Sequence, residues 1–180
     1  MERSLTHIAL FAALIAILGF VPSVQLSFGV PVSAQSLAIM LCGTVLGARR
    51  GMLAVLLLLA LVAAGLPLLA GGRGGLGVFT SPTSGYIVGF VLGAYTTGWL
   101  VERTTLPLGV AATAAALIGG VGVVTFCGII GMSVTLGKTL AEATYLSAAF
   151  LPGDILKAVL AGLITVSLAR MRPASVLSRA

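Results

Sequence analysis

The chain has 180 residues, of which 59% are hydrophobic and 8% are charged, and its formal net charge is +6. Soluble domains carry about 25% charged residues, so this composition excludes a soluble domain and predicts one membrane-embedded domain over residues 1–180. The basic residues are scattered at the ends of apolar runs, without a clustered basic face or interleaved aromatics, which excludes a nucleic-acid partner.

Six apolar runs, separated by short breaks that hold Gly, Pro or charged residues, predict six consecutive transmembrane helices. Their approximate bounds are 5–21, 32–48, 52–69, 85–101, 106–131 and 153–169. The first run resembles a signal peptide, but no small-x-small cleavage motif follows it, so we interpret it as the first helix. Cys42 and Cys127 lie inside apolar runs and are interpreted as small buried residues rather than metal ligands or a disulfide. The predicted fold class is therefore an all-α integral membrane protein.

The distribution of Lys and Arg predicts the orientation of these helices, because cytoplasmic loops are enriched in both. If both termini are cytoplasmic, the basic residues on the inner side are Arg3, Arg49, Arg50, Arg103, Arg170, Arg172 and Arg179. Arg73, Lys138 and Lys157 then lie on the outer side. The three outer connections are longer than the inner ones, and long connections often carry function. We therefore predict a ligand pocket at the outer side.

The last apolar run begins with two charged residues, in the stretch AFLPGDILKAVLAGL (Ala149–Leu163). Asp154 has an ordinary interpretation as a carboxylate that stabilises the free N–H groups of a helix start. Lys157 lies about one turn deeper, where a charge is costly in a membrane. Because residues three apart share a helix face, we expect the two to pair and to mark a binding site or pathway. The alternative is that Lys157 extends to the membrane surface.

A glycine-rich connection, AGGRGGLGVFTSPTSGYIVGF, covers residues 70–90 and has five glycines within residues 71–77, together with Arg73. Glycine allows the backbone to approach a ligand closely. Phe79 and Tyr86 are candidates for flat apolar walls of a binding site, and Tyr86 adds a hydroxyl group. The alternative is an ordered outer cap that binds no ligand. The segment matches the dinucleotide-binding pattern poorly and no strand precedes it, which excludes that motif.

The first outer connection holds three candidate polar or aromatic groups, Gln25, Phe28 and Gln35. Gln35 lies on the outer part of the second predicted helix, where an unpaired amide is costly. We therefore predict that Gln35 bonds another polar side chain or a ligand.

The remaining charged groups have less specific interpretations. His7 is predicted to lie at the membrane interface at the inner end of the first helix. Glu102 and Arg103 are interpreted as a solvated pair at an inner loop. Lys138 and Glu142 are interpreted as part of a lid or of a solvated outer surface.

Small residues recur at spacing four in several predicted helices, which allows close helix approach in lipid. The first helix has the pairs Ala9/Ala13 and Ala12/Ala16. The fifth is rich in glycine, and the sixth has Ala158 and Gly162. Such pairs serve either packing within the protein or docking of another membrane subunit.

The sequence lacks the groups that several other function classes need. No Ser–His, Cys–His or paired-carboxylate arrangement occurs at the outer face, so we expect neither an enzyme nor a cofactor. No P-loop occurs, so the chain is not expected to hydrolyse ATP itself. A self-contained channel would favour polar lining through the full membrane thickness, whereas these polar groups concentrate at one end. No internal repeat indicates an inverted-repeat transporter.

With these segments in place, the chain resembles the BioY family, the biotin-specific substrate-binding components of energy-coupling factor transporters. The resemblance covers roughly Leu5–Arg172. Its most specific parts are VPVSAQSLAIMLCGTVLGARRG, GLPLLAGGRGGLGVFTSPTSGYIVGF and FLPGDILKAVLAGL. Ser84 departs from the family pattern, which typically has glycine there.

The resemblance implies six helices in a prokaryotic cell membrane and a biotin pocket closed by outer loops. The implied ligand-binding residues are Asp154, Lys157, Tyr86, Gln35, Phe79, Arg73, Thr83 and Gly75. It also implies that small residues of the first helix contact a transmembrane coupling subunit, which works with two ATPase subunits. The candidates for that contact are Ala9, Ala13, Ala12 and Ala16. A self-contained transporter for biotin or for another small polar vitamin remains the alternative.

Overall fold

A computed structural model describes residues 2–22, 24–25 and 31–179, with side chains at residues 4–22 and 33–179. Within these residues the main helices are α1 Glu2–Gly19, α2 Gln35–Leu46, α3 Ala48–Ala63, α4 Ser84–Arg103, α5 Leu108–Leu136, α6 Leu140–Ala148 and α7 Leu151–Met171. Two short strands, β1 Val24–Gln25 and β2 Pro31–Val32, pair antiparallel between α1 and α2. Phe28 and the Gln25 side chain lie outside the described residues.

The described part of the chain is predominantly helical, as predicted, and three of its helices are long and apolar enough to cross a membrane. These three are α4, α5 and α7. Helices α1 and α2 are also apolar but have shorter apolar segments.

Helix α2 is shorter than the predicted run at 32–48. It has seven α-helical residues, Gln35–Leu41, followed by five π-helical residues, Cys42–Leu46. At about 1.5 Å per residue, it extends roughly 18 Å, well short of a hydrocarbon core of about 30 Å. Most of its side chains are buried in the protein, so α2 is surrounded by other helices.

The predicted break between the second and third helices is also misplaced. Gly47, with φ of 84°, makes the turn, and α3 begins directly at Ala48. Arg49 and Arg50 therefore lie in the first turn of α3 and not in a loop before it. This turn needs glycine because its φ lies in the left-handed region.

Helix α4 packs against both α3 and α5, and it meets α5 through a stripe of glycines at spacing four. A Cβ on Gly85 would lie 2.7 Å from the Cα of Gly131, and a Cβ on Gly89 would lie 3.0 Å from the Cα of Val124. The backbones of α4 and α5 therefore touch, which is the packing that small residues allow in lipid. The sequence analysis identified the small residues of α5 but missed this stripe on α4.

The connection after α5 contains a further helix that the sequence analysis interpreted as a lid or solvated surface. Helix α6 begins with a capping box, in which the Thr139 hydroxyl accepts from the Glu142 backbone N–H and the Glu142 carboxylate accepts from the Thr139 backbone N–H at 2.8 Å. These bonds lower the pKa of the exposed Glu142 carboxyl below its ordinary value. The sequence signal was present, because Thr-x-x-Glu before an apolar run is a helix-start pattern.

Polar contacts stabilise the end of the bundle where Ser4 and Ser178 lie. The Arg50 Nε donates to Ser4 Oγ at 3.3 Å, and Ser178 Oγ donates to the Thr44 carbonyl at 2.5 Å. Glu102 is not paired with Arg103 as predicted. Its carboxylate accepts from the Ala48 backbone N–H at 2.8 Å and so caps α3.

Candidate ligand-binding site

A cavity of about 590 Å³, including its open mouth, lies at the opposite end of the bundle from these contacts. It is bounded by the starts of α2, α4 and α7, by α5 and by the glycine-rich connection before α4. The lining residues are Ser33, Gln35, Ser36, Leu69, Ala70, Arg73, Thr83, Tyr86, Ile87, Phe90, Val124, Phe150, Asp154 and Lys157. An apolar cavity with a few convergent polar groups is typical of a small-molecule site.

Asp154 and Lys157 form an ion pair in this cavity. Lys157 Nζ lies 2.9 Å from Asp154 Oδ1, and the side chains are only 17% and 16% exposed. Lys157 also donates to the Ser33 carbonyl at 2.7 Å and to Ser36 Oγ at 3.0 Å. The predicted pairing is therefore confirmed, and the ammonium is directed to α2 instead of the membrane surface.

Ser36 connects this pair to α2, because its hydroxyl donates to Asp154 Oδ1 at 3.0 Å. Among the described residues, the hydrogen bonds to the Asp154 carboxylate all reach Oδ1. Asp154 thus keeps accepting capacity at Oδ2, since an ionised carboxylate has about four lone-pair sites. The sequence analysis missed Ser33 and Ser36, although both flank Gln35 at the start of the second predicted helix.

Arg73 and Thr83 of the glycine-rich connection line one side of the cavity. Arg73 Nη1 donates to Thr83 Oγ1 at 3.2 Å, and Arg73 Nε donates to the Ala70 carbonyl at 3.1 Å. Partial burial lowers the pKa of Arg73 below its ordinary value. A guanidinium nevertheless stays charged at neutral pH. Arg73 therefore offers a fixed positive charge on the side of the cavity formed by this connection.

Two of the predicted ligand-binding residues do not line the cavity. Phe79 packs against the main hydrophobic core. Gly75 has φ of 79°, and its backbone N–H donates to the Val62 carbonyl at 2.8 Å, so it shapes the connection from outside the cavity.

Tyr86 forms an aromatic wall together with Phe150. Their ring centroids lie 5.7 Å apart in an edge-to-face arrangement, and the Tyr86 hydroxyl lies 3.0 Å from Ser147 Oγ of α6. The Tyr86 ring lies over Gly128, where an added Cβ would overlap ring carbons. Phe150 and Phe90 lie within the quoted motifs but were not recognised as cavity residues, because only the fold brings them together.

Gln35 is 2% exposed and bonds three backbone groups, one in α1 and two in the connection after α3. Its Nε2 donates to the carbonyls of Ile15 at 3.1 Å and Leu68 at 3.0 Å, and its Oε1 accepts from the Ala70 N–H at 2.9 Å. Gln35 therefore bonds backbone groups and not the polar side chain that was predicted as one of its two possible partners. It also lines the cavity, so its predicted contact with a ligand stays a prediction. The close approach needs Gly19, where a Cβ would lie 2.6 Å from Gln35 Nε2.

Gln35→Met is expected to destabilise the protein strongly, because it removes three hydrogen bonds to backbone groups, two of them buried. Each lost bond costs about 1 kcal/mol, so the melting temperature in detergent should fall by on the order of 5–10 °C. Thr96→Val is the matched control, since Thr96 is only partly buried and its hydroxyl donates to the Leu92 carbonyl within α4. Equal melting temperatures for the two variants would contradict the role assigned to Gln35.

The alanine pairs of α1 face different surroundings. Ala9 and Ala13 are exposed on the bundle surface, next to Leu10 at 62% exposure. Ala12 is 3% exposed and Ala16 is partly buried against the core. The Ala12/Ala16 pair therefore packs within the protein, contrary to its predicted use as a docking face, and Ala9/Ala13 is the accessible pair.

Comparison with known proteins identifies the family. A family model described as the BioY family matches residues 2–174. The protein named biotin transporter BioY from Rhodobacter capsulatus is 48% identical over 189 residues, covering 99% of this chain and 100% of the relative. Its namesake from Rhizobium etli is 48% identical over 169 residues and covers 90% of each chain. A crystal structure of the S-component for biotin from an ECF-type ABC transporter superposes with a TM-score of 0.88 at 33% identity, covering 94% of this chain and 92% of that one. The chain belongs to the BioY family.

Proposed function

We propose that this chain binds biotin in the cavity between α2, α4 and α7 and delivers it inward as the substrate-binding component of an energy-coupling factor transporter. The observation that carries the proposal is the Asp154–Lys157 pair, which Ser36 holds in a cavity that also has apolar and aromatic walls. Relatives named biotin transporters, at 48% identity over nearly the whole chain, supply the identity of the ligand.

The groups that line the cavity complement the groups of biotin. The ureido ring of biotin has two N–H donors and a carbonyl acceptor, which suit Asp154 and Lys157 respectively. Charge-assisted hydrogen bonds of this kind are about twice as strong as neutral ones. Tyr86 and Phe150 suit the apolar thioether ring, and Arg73 suits the carboxylate of the tail. Each of these matches rests on the chemistry of the biotin group and of the side chain proposed to contact it.

The proposed topology has six helices that run between the two membrane faces, with α6 as an additional helix at the outer face. The cavity lies at the start of the short helix α2. Ser4 and Ser178, near the two ends of the described chain, make their contacts at the end of the bundle opposite the cavity. That end also holds the basic residues of α3, α4 and α7, so the positive-inside rule supports cytoplasmic termini and an outer cavity.

The proposed partner is a transmembrane coupling subunit that works with two ATPase subunits, docked on the exposed Ala9/Ala13 face of α1. Small residues at spacing four allow a second helix to approach closely. Nothing in the sequence provides a phosphate-binding loop, so the energy for inward delivery has to come from such partners.

Uptake of labelled biotin by cells tests the transport part of the proposal. The chain is expressed in a biotin-requiring host that lacks its own biotin transporter, alone and together with candidate coupling and ATPase subunits. We expect concentrative uptake only in the presence of active ATPase subunits, and we expect Ala13→Trp to reduce uptake without reducing biotin binding. Val134→Trp, at an exposed apolar position on α5, is the control substitution. Concentrative uptake by the chain alone would favour the self-contained transporter.

A further inference from the structure

A groove lies at the end of the bundle opposite the biotin cavity, between the end of α4 and the start of α3. It encloses about 930 Å³, including its open side. Its lining residues are Leu46, Ala48, Arg49, Arg50, Tyr95, Trp99, Glu102 and Arg103. We call it the arginine groove. Tyr86 in the biotin cavity and Trp99 in the arginine groove are 13 residues apart on α4, which corresponds to about 20 Å along the helix.

The arginine groove carries an excess of positive charge. Three guanidinium groups, those of Arg49, Arg50 and Arg103, line it together with a single carboxylate, that of Glu102. Glu102 is already engaged as the cap of α3 through its bond to the Ala48 N–H. Arg49 and Arg103 are exposed. The groove therefore suits an anion, and guanidinium groups are especially suited to phosphate.

One face of α4 adds an aromatic surface to this charge. Tyr95, Trp99 and Arg103 follow one another at spacing four, so they lie on the same side of the helix. The Arg103 guanidinium carbon lies 4.5 Å from the centroid of the Trp99 ring. Tyr95 and Trp99 are 39% and 37% exposed on the bundle surface. A molecule bound in the groove would therefore contact positive charge at the C-terminal end of α4 and aromatic surface one to two turns before that end.

The arginine groove is held in shape by backbone packing. Gly98 of α4 lies against the turn before α3, and a Cβ there would lie 2.7 Å from the Cα of Ala48. The turn itself is fixed by Gly47, with φ of 84°. Arg50 is further held by its bond to Ser4 of α1. The groups that face an occupant are therefore positioned before it binds.

We propose that the arginine groove binds an anionic phospholipid, with the headgroup phosphate at the arginines and an acyl chain along Tyr95 and Trp99. Basic pockets between transmembrane helices bind anionic headgroups, and Tyr and Trp are enriched at the membrane interface. A lipid fits better than an acidic protein segment because the charge and the apolar stripe follow the helix axis, in the direction of an acyl chain. The proposal is independent of the ligand bound at the other end of the bundle.

Trp99 is the only tryptophan of the chain and lies inside the groove, so its fluorescence reports the occupant directly. The full chain is reconstituted into phosphatidylcholine vesicles that contain a small fraction of either brominated phosphatidylglycerol or brominated phosphatidylcholine. The ratio of the two quenching efficiencies gives the preference of the groove for the anionic lipid. We expect wild type to prefer phosphatidylglycerol by roughly three- to five-fold, given the attraction of a few basic residues to anionic lipid.

Arg49→Gln removes one guanidinium without touching the tryptophan and is expected to bring the ratio close to one, whereas Arg49→Lys should retain most of the preference. Lys138→Gln removes an exposed charge from the opposite end and should leave the ratio unchanged.

In wild type, 0.5 M salt should lower the ratio through screening. A ratio of one for wild type, or equal effects of Arg49→Gln and Lys138→Gln, would overturn the proposal. Loss of the preference in millimolar glycerol 3-phosphate would assign the groove to a free phosphate compound instead of a lipid.

Discussion

Lys157→Met is expected to weaken biotin binding by about 30-fold or more while the purified protein remains folded. The ammonium makes three contacts in the cavity, to the Ser33 carbonyl, to Ser36 Oγ and to Asp154 Oδ1. Removing it deletes the proposed donor to the ligand and leaves the Asp154 carboxylate without its counter-charge. Loss of one partner of a desolvated charge pair costs about 2–5 kcal/mol, which corresponds to roughly 30- to several-thousand-fold in affinity.

Asp154→Asn is the complementary change, because it keeps the size of the side chain and removes its charge. Lys157 then retains its contacts to Ser33 and Ser36, so the variant tests the carboxylate alone. We expect a similar loss of binding in an equilibrium assay with labelled biotin. Lys138→Met, at an exposed position after α5, serves as the control and should bind like wild type. If both cavity variants bind biotin as tightly as wild type, the pair is structural and the proposed site is wrong.

Gly128→Ala is expected to reduce biotin binding by about tenfold or more, although it adds a single methyl group. A Cβ at this position overlaps the ring of Tyr86, so the ring has to move. Movement would break the contact of the Tyr86 hydroxyl with Ser147 and the edge-to-face contact with Phe150. Forcing extra volume into a packed core typically costs about 1–3 kcal/mol, so the melting temperature should fall as well.

Gly122→Ala is the matched control for this prediction. It lies on the same helix, and an added Cβ there would meet only the Leu117 carbonyl at an ordinary 3.6 Å. The proposed cause is tested further by repeating Gly128→Ala in a Tyr86→Leu background, where the methyl group no longer meets the ring. Additive effects of the two substitutions would show that Gly128 acts by some route other than Tyr86.

Much of the fold was predictable because hydrophobicity along the chain reports helices directly. The long apolar runs gave α4, α5 and α7 to within a few residues, apart from the end of α5. The sequence analysis misjudged α2 because a buried short helix and a membrane-spanning helix have the same apolar composition. It also placed the second break at residues 49–51, whereas the helix begins at Ala48. The two adjacent arginines indicate a loop between helices. The turn is in fact made by Gly47 alone, whose positive φ the sequence does not show directly.

The charged half of the cavity was predictable and the apolar half was not. Asp154 and Lys157 stand out because charge is rare in an apolar run, and their spacing already predicts a pair. Phe90 and Phe150 are ordinary apolar residues in the sequence, and only tertiary packing brings them to the cavity. Gln35 was recognised as costly to leave unpaired, but its backbone partners lie up to 35 residues away and no local pattern indicates them.

The proposed biotin site is tested by equilibrium binding of labelled biotin to the purified wild-type chain. We expect saturable binding of one biotin per chain, which unlabelled biotin displaces and other small polar vitamins do not. Biotin should also change the ultraviolet absorbance of tyrosine in the same preparation, because the bound ligand would cover the Tyr86 ring. A monodisperse, folded protein that binds no biotin, or that binds another vitamin more tightly, would contradict the account.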